Sequence, residues 1–170
     1  MLIILPARLL CHEALELIRQ IGRHISGLNV FGVVGGVSLE SERIKLGEKP
    51  SIIFGTPGRL LNAVQTGSLE LKRLKLLILD EADELLSRGF QEQILSILKF
   101  VPPDVQMAII SATTPNEVQC LMDLSLRDPV CLRIEKKYVD MKDSEHFKVS
   151  VDEEEEKIDF LINFYEKTSK

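Results

Sequence analysis

Six short runs rich in aliphatic residues set the strongest limit on the fold: Leu2–Leu5, Leu28–Val34, Ser51–Phe54, Leu76–Leu79, Met107–Ile110 and Val130–Ile134. None of them alternates cleanly between apolar and polar residues. Such runs suit strands buried on both faces of a parallel sheet, whereas a half-exposed antiparallel strand reads with period two. Helical periods fill the gaps. Leu10, Ala14, Leu17, Ile18, Ile21 and Ile25 recur three or four apart and predict a helix with one apolar face. Further helices are expected over Pro57–Val64, around Ile94, Leu95, Ile97 and Leu98 with a stop at Pro102-Pro103, and over Pro115–Leu124. Strands that alternate with helices require crossover connections, which are right-handed, and an α/β sheet with helices on both faces.

The pattern changes after Ile134. The stretch from Glu135 to Glu145 is polar without sustained periodicity and reads as a linker. Phe147–Val151 alternates like a strand, and Ile158, Leu161, Ile162 and Tyr165 follow at helical spacing. The acids Asp152 to Glu156 then fall at that helix's start, where they complement its dipole. This strand and helix cannot bury themselves alone and read as the first piece of a second domain.

Charge and cysteine usage narrow the setting. The formal net charge is −5, but residues 1–134 hold 14 basic against 15 acidic side chains, net −1. A nearly neutral body binds nucleic acid, if at all, through placed groups and backbone amides. Cys11, Cys120 and Cys131 are odd in number and far apart, which gives neither a disulfide framework nor a metal-ligand spacing. No run approaches the roughly 20 apolar residues of a membrane span, and Met1-Leu2-Ile3-Ile4-Leu5-Pro6 lacks the marks of a secretory leader. A reducing, intracellular setting is expected.

In open α/β sheets, ligands bind beyond the carboxyl ends of the strands, and several suggestive residue sets fall there. Leu76–Leu79 leads into Asp80-Glu81: the first carboxylate suits a hydrated Mg²⁺, the second can orient or deprotonate a water, and the pair equally suits a plain helix start. Thr56-Pro57-Gly58-Arg59 is a well-built helix start, and its free N–H groups with Arg59 one turn in also suit a phosphate. Gly35-Gly36 permits a tight turn and close approach of a ligand. Pro6-Ala7-Arg8 places one guanidinium at the same edge. Ser111-Ala112-Thr113 puts two hydroxyls at a strand tip, within reach of a neighbouring carboxylate, with Asp83 the candidate.

The succession Pro6-Ala7-Arg8, Gly35-Gly36, Thr56-Pro57-Gly58-Arg59, Asp80-Glu81-Ala82-Asp83, Ser111-Ala112-Thr113 resembles the DEAD-box RNA helicases, and within them the eukaryotic initiation factor 4A group. Arg88-Gly89-Phe90 and the segment from His146-Phe147 to Tyr165 strengthen the likeness. The resemblance implies a RecA-like parallel sheet with helices on both faces, here incomplete at its N-terminal side. It implies a first helicase domain over residues 1–135, a linker over 136–146 and the opening of a second helicase domain over 147–170. It implies ATP and Mg²⁺, with Asp80 holding the ion through water and Glu81 positioning the attacking water. Asp83, Ser111 and Thr113 would link nucleotide state to domain closure. Pro6, Arg8, Gly35, Gly36, Thr56, Pro57, Gly58 and Arg59 would hold the RNA sugar-phosphate backbone, which carries no sequence information. Initiation-factor-type protein partners, a cytoplasmic or nuclear location and no membrane association follow from the same likeness.

Two departures qualify the expectation. The family's Pro-Thr-Arg-Glu-Leu-Ala reads here Pro6-Ala7-Arg8-Leu9-Leu10-Cys11, without the hydroxyl and the carboxylate. No Gly-x-x-x-x-Gly-Lys-Ser/Thr phosphate loop occurs in these residues; it and its central strand would lie before Met1. These 170 residues by themselves are therefore expected to hydrolyse little ATP and to be poorly stable or self-associating. The alternatives are a truncated, inactive module that binds RNA or a partner, favoured by Ala7 and Leu9, and a different phosphate-loop ATPase, disfavoured by the Thr-Pro-Gly-Arg and Ser-Ala-Thr motifs.

Overall fold

The computed structural model describes residues 1–134 and 147–168. Among these residues five strands are formed, β1 (Leu2–Ile4), β2 (Val30–Val33), β3 (Ile52–Gly55), β4 (Leu76–Leu79) and β5 (Gln106–Ile109). They make one all-parallel sheet in the order β2-β3-β1-β4-β5. The connecting helices are α1 (Arg8–Ile21), α2 (Leu39–Gly47), α3 (Pro57–Gln65), α4 (Ala82–Ser87), α5 (Gln91–Leu98) and α6 (Asn116–Ser125), and α7 (Glu154–Thr168) follows later.

The pleat explains why the runs look uniformly apolar. Ile3 and Leu5 point to one face, where they pack with Val30, Val34 and Phe54 under Cys11 and Leu15 of α1. Leu2, Ile4, Leu77 and Leu79 point to the other, against Leu60 and Ala63 of α3, Leu85 of α4, Ile94 and Ile97 of α5 and Leu121 of α6. Helices thus cover both faces, and the central strands have no polar side. Leu77 and Leu79 are fully buried, so truncating either to alanine is expected to cost about 2–5 kcal/mol. β5 is the last strand in the order and pairs with β4 alone.

Two expected strands are absent. Val130–Ile134 forms no strand, and Val130, Leu132 and Ile134 are 88%, 92% and 83% exposed. Residues 147–151 form none either. A strand exists only where an edge accepts its N–H and C=O groups, and the described residues after Pro129 form no strand that would offer one. Helix α2 was not expected: it shows no apolar stripe, since its inward positions are Glu42 and Leu46 while Ile44 is 62% exposed. Its start is nonetheless regular, with Ser38 Oγ accepting from the Ser41 N–H at 3.1 Å and Glu40 and Glu42 in the first turn.

The chain divides into two compact units, Met1–Pro129 and Val130–Lys170. The linker expected over 136–146 lies outside the described residues. In the second unit α7 begins with Glu154, Glu155 and Glu156 and buries none of its residues. No helix among the described residues is long and apolar enough to cross a membrane.

Candidate nucleotide and nucleic-acid site

Because all five strands run the same way, their carboxyl ends share one edge. The ladder continues into the loops there: Leu5 N–H donates to Gly55 O at 3.0 Å, Asp80 N–H to Ile4 O at 3.0 Å and Ile110 N–H to Leu79 O at 2.9 Å. The strand order then sorts the predicted residues into two groups. The ends of β2, β3 and β1 carry Gly35-Gly36, Thr56–Arg59 and Pro6–Arg8. The ends of β4 and β5 carry Asp80–Asp83 and Ser111–Thr113.

In the acidic group, Glu81 takes the left-handed conformation (φ 53°, ψ 50°) and forms the N-cap of α4. A side chain other than glycine sits there at a cost. The turn is held on both sides: Ala82 N–H donates to Ile110 O at 3.0 Å, and Leu85 N–H to Glu81 O at 2.9 Å. Burial, and then the charges of Asp80, Asp83 and Glu84, push the Glu81 carboxyl above its ordinary value. Asp80 Oδ1 accepts the Glu81 N–H at 3.0 Å, so one of its oxygens is committed to the backbone. No group of three or more His, Cys, Asp or Glu converges among the described residues. That donor set fits an ion that keeps most of its water shell, as Mg²⁺ does beside phosphates, and does not fit an all-protein cage.

Asp83 is the best-ligated carboxylate. Its Oδ2 accepts the Thr113 hydroxyl at 2.6 Å and the Thr113 N–H at 3.0 Å, and its Oδ1 accepts the Glu84 N–H at 3.1 Å. Ser111 Oγ accepts the Asp83 N–H at 3.1 Å and donates to Thr113 O at 2.6 Å. The Thr113 hydroxyl leads in holding the Asp83 carboxyl below its ordinary value. The contact expected between the Ser-Ala-Thr segment and Asp83 is therefore formed.

In the other group the three segments also meet. Gly36 has φ +92°, and a Cβ placed on it would fall 2.5 Å from Nη2 of Arg8. Gly55, just before Thr56, lies so close to Val33 O that an added Cβ would sit 2.7 Å away. Thr56 caps α3 with extended backbone, and Pro57 is its first residue. Arg8 is exposed and has no hydrogen-bond or ion-pair partner among the described residues. Arg59 is engaged: Nε donates to Glu42 Oε2 at 2.8 Å and Nη2 to Val37 O at 2.8 Å. Glu42 was not singled out from the sequence, and no local signal marks it, because its partner lies 17 residues on. Cys11, buried with its thiol pushed up to about 11, is packing.

A model of the DEAD/DEAH box helicase family matches residues 1–121. The chain is 35% identical over 165 residues to eukaryotic initiation factor 4A-3 of Nicotiana plumbaginifolia, covering 97% of this chain and 42% of that protein. It is 38% identical over 165 residues to eukaryotic initiation factor 4A of Cryptosporidium parvum, covering 97% of this chain and 40% of that protein. Among solved structures, the yeast DEAD-box splicing factor Prp28 superposes with a TM-score of 0.71 at 28% identity, over 74% of this chain and 30% of that one. The shared architecture is the RecA-like parallel sheet. The chain spans about two fifths of the length of the curated relatives it matches.

Proposed function

The chain belongs to the DEAD/DEAH box helicase family, and from that premise we propose that it forms the part of an ATP-dependent RNA helicase carrying the carboxylate half of the hydrolysis site and one RNA-backbone face. The observation that carries this reading is the link Asp83–Thr113–Ser111 beside Asp80-Glu81, on the same sheet edge as the Arg8, Gly36 and Thr56 cluster.

Asp80 would hold Mg²⁺ through water, and Glu81 would orient the attacking water. When bound beside ATP, Mg²⁺ neutralises charge on the β- and γ-phosphates. Glu81 suits its role because its side chain makes no cap bond to the helix it precedes, while burial and three neighbouring carboxylates raise its proton affinity. Asp83, Ser111 and Thr113 tie the end of β5 to the start of α4. A shift at either strand tip therefore moves the other, and by the family likeness this link couples nucleotide state to domain closure. At the ends of β2, β3 and β1, Arg8, the Thr56 hydroxyl and the Gly58 N–H meet phosphate oxygens, while the Thr56 N–H is taken by Val33 O at 3.3 Å. Pro6, Gly35, Gly36 and Pro57 shape the turns, so binding is sequence-independent. Residues 147–170 begin a second helicase domain after a linker over 136–146. The likeness to relatives named initiation factor 4A supports initiation-factor-type partners and a cytoplasmic or nuclear location as part of this proposal.

A chimera tests the enzymatic reading. This chain replaces the matching 165 residues of the Nicotiana relative, and phosphate release is followed with and without RNA. RNA-stimulated release that is lost in Glu81→Gln is expected. A folded, RNA-binding chimera without release would favour the inactive module, for which the altered residues Ala7 and Leu9 speak. The 170 residues by themselves, which contain no phosphate-loop motif, are expected to release negligible phosphate.

A further inference from the structure

Glu42 is the one buried charged side chain among the described residues, 2% exposed. A carboxylate so placed must be paired, and removing its partner leaves an uncompensated buried charge. The partner is Arg59, whose side chain is 19% exposed. A buried ion pair adds little net stability over an apolar pair of the same shape. What this one provides is geometry. The planar fork of Arg59 reaches Glu42 on α2 through Nε and Val37 O through Nη2, both at 2.8 Å. Arg59 is the third residue of α3, and Val37 directly follows Gly36. One side chain therefore joins the start of α3 to the turn that abuts Arg8.

We infer that Glu42 is a positioning residue for RNA-backbone binding: it holds Arg59 as a brace between the Gly35–Val37 turn and the start of α3, and leaves Arg8 as the cation that meets phosphate. The inference rests on the RNA-binding reading proposed above. It reverses the plain expectation for Arg59, which at a helix start with a free guanidinium would itself contact phosphate. Here its charge is already matched by Glu42 and two of its donors are taken.

Salt dependence separates the two roles, because each phosphate neutralised by a cation adds to the slope of log affinity against log salt. The chimera in which this chain replaces the matching residues of the Nicotiana relative is titrated with a single-stranded RNA of mixed sequence at several salt concentrations. Arg8→Gln is expected to flatten the slope by ~0.7, the value for one phosphate contact on a single strand. Arg59→Lys keeps the charge and keeps Glu42 compensated, so the fold is preserved, but lysine cannot span both acceptors. It is expected to weaken binding about fivefold, the scale of one hydrogen bond, with the slope unchanged. Glu42→Gln is expected to weaken binding similarly without flattening the slope, and Glu42→Asp to restore part of the loss. Glu42→Gln combined with Arg59→Gln is expected to be no worse than the weaker single variant, because the two act as a unit. Unaltered affinity in Arg59→Lys, together with a slope flattened by Arg59→Gln as much as by Arg8→Gln, would overturn the inference alone. A folded chimera carrying the wild-type sequence with no measurable RNA binding would overturn the RNA reading and the inference with it.

Discussion

Thr113 donates twice to one oxygen of Asp83, through its hydroxyl at 2.6 Å and its N–H at 3.0 Å. The two residues are 30 positions apart and belong to the ends of different strands, so this contact joins the tip of β5 to the first turn of α4. Both bonds favour the ionised carboxylate, and the hydroxyl has the larger effect. Thr113→Val removes the hydroxyl and keeps the N–H. It is expected to raise the Asp83 pKa toward its ordinary value, read by NMR titration of the carboxyl carbon. Stability follows with a definite sign. A depressed folded-state pKa stabilises above the unfolded value and loses that contribution as pH falls through the folded one. Wild type is thus expected to exceed Thr113→Val in denaturant midpoint near neutrality, with the gap closing below about pH 4. A gap independent of pH would show that the hydroxyl acts by packing alone.

Glu81 has the opposite sign. Burial first, and then Asp80, Asp83 and Glu84, raise its pKa. A raised carboxyl pKa means the folded protein binds its proton more tightly than the unfolded chain, so ionisation above the unfolded pKa subtracts stability. That loss grows as pH rises to the folded pKa and is constant beyond it. Glu81→Gln is therefore expected to be more stable than wild type at pH 7 and equal to it near pH 3, by urea denaturation at each pH. Asp80→Asn removes one neighbouring charge and is expected to lower the Glu81 pKa. A Glu81 titration unmoved by Asp80→Asn would leave burial, with Asp83 and Glu84, as the cause.

Where α1 begins, the altered motif has a structural cost. Ala7 is the N-cap of α1 with extended backbone and no side-chain bond, and no acid lies in the first turn, where Leu9 is 67% exposed. Thr at residue 7 would cap a free N–H, worth about 1 kcal/mol, and Glu at residue 9 would complement the dipole, worth ~0.5 kcal/mol. Ala7→Thr with Leu9→Glu is expected to raise Tm by about 4 °C, in differential scanning calorimetry. No increase would mean that the first turn of α1 is already held by Pro6 and by the Cys11 N–H bond to Ala7 O.

The strands were legible where burial on both faces leaves a run of branched residues and nothing else: β4 is Leu76–Leu79 as read, and β1, β2, β3 and β5 shift only at their ends. The same signal failed at Val130–Ile134, because an apolar run records a liking for burial and not the presence of a pairing edge. α2 was illegible because its one inward polar side chain, Glu42, breaks the apolar stripe by which helices are found. At the site, the motif segments fall together because parallel strands bring all their carboxyl ends to one edge. The partner of Arg59 was hidden, because a side chain's commitment to a distant acid leaves no mark in its own neighbourhood.

The two adjacent glycines make different demands, and that difference is testable. Gly36 has φ +92°, and a Cβ there would fall 2.5 Å from the Arg8 guanidinium. Gly35 has no positive φ, and nothing lies within 4 Å of its added Cβ. Alanine at 36 must adopt a conformation that costs an L-residue roughly 1–2 kcal/mol, and it must also push the Arg8 head aside. Gly36→Ala is therefore expected to lose stability by that amount in urea denaturation and to weaken RNA binding, since the displaced side chain is the cation of the cluster that has no partner among the described residues. Gly35→Ala is expected to leave both nearly unchanged, with a small gain in stability from the stiffer unfolded chain. The guanidinium is the flexible end of a long side chain, so the steric part can relax while the backbone part cannot. A Gly36→Ala protein with full stability but weakened binding would mean that the turn accommodates alanine and only Arg8 has moved. Equal losses in the two variants would mean that the turn as a whole, rather than the positive φ at Gly36, shapes the face.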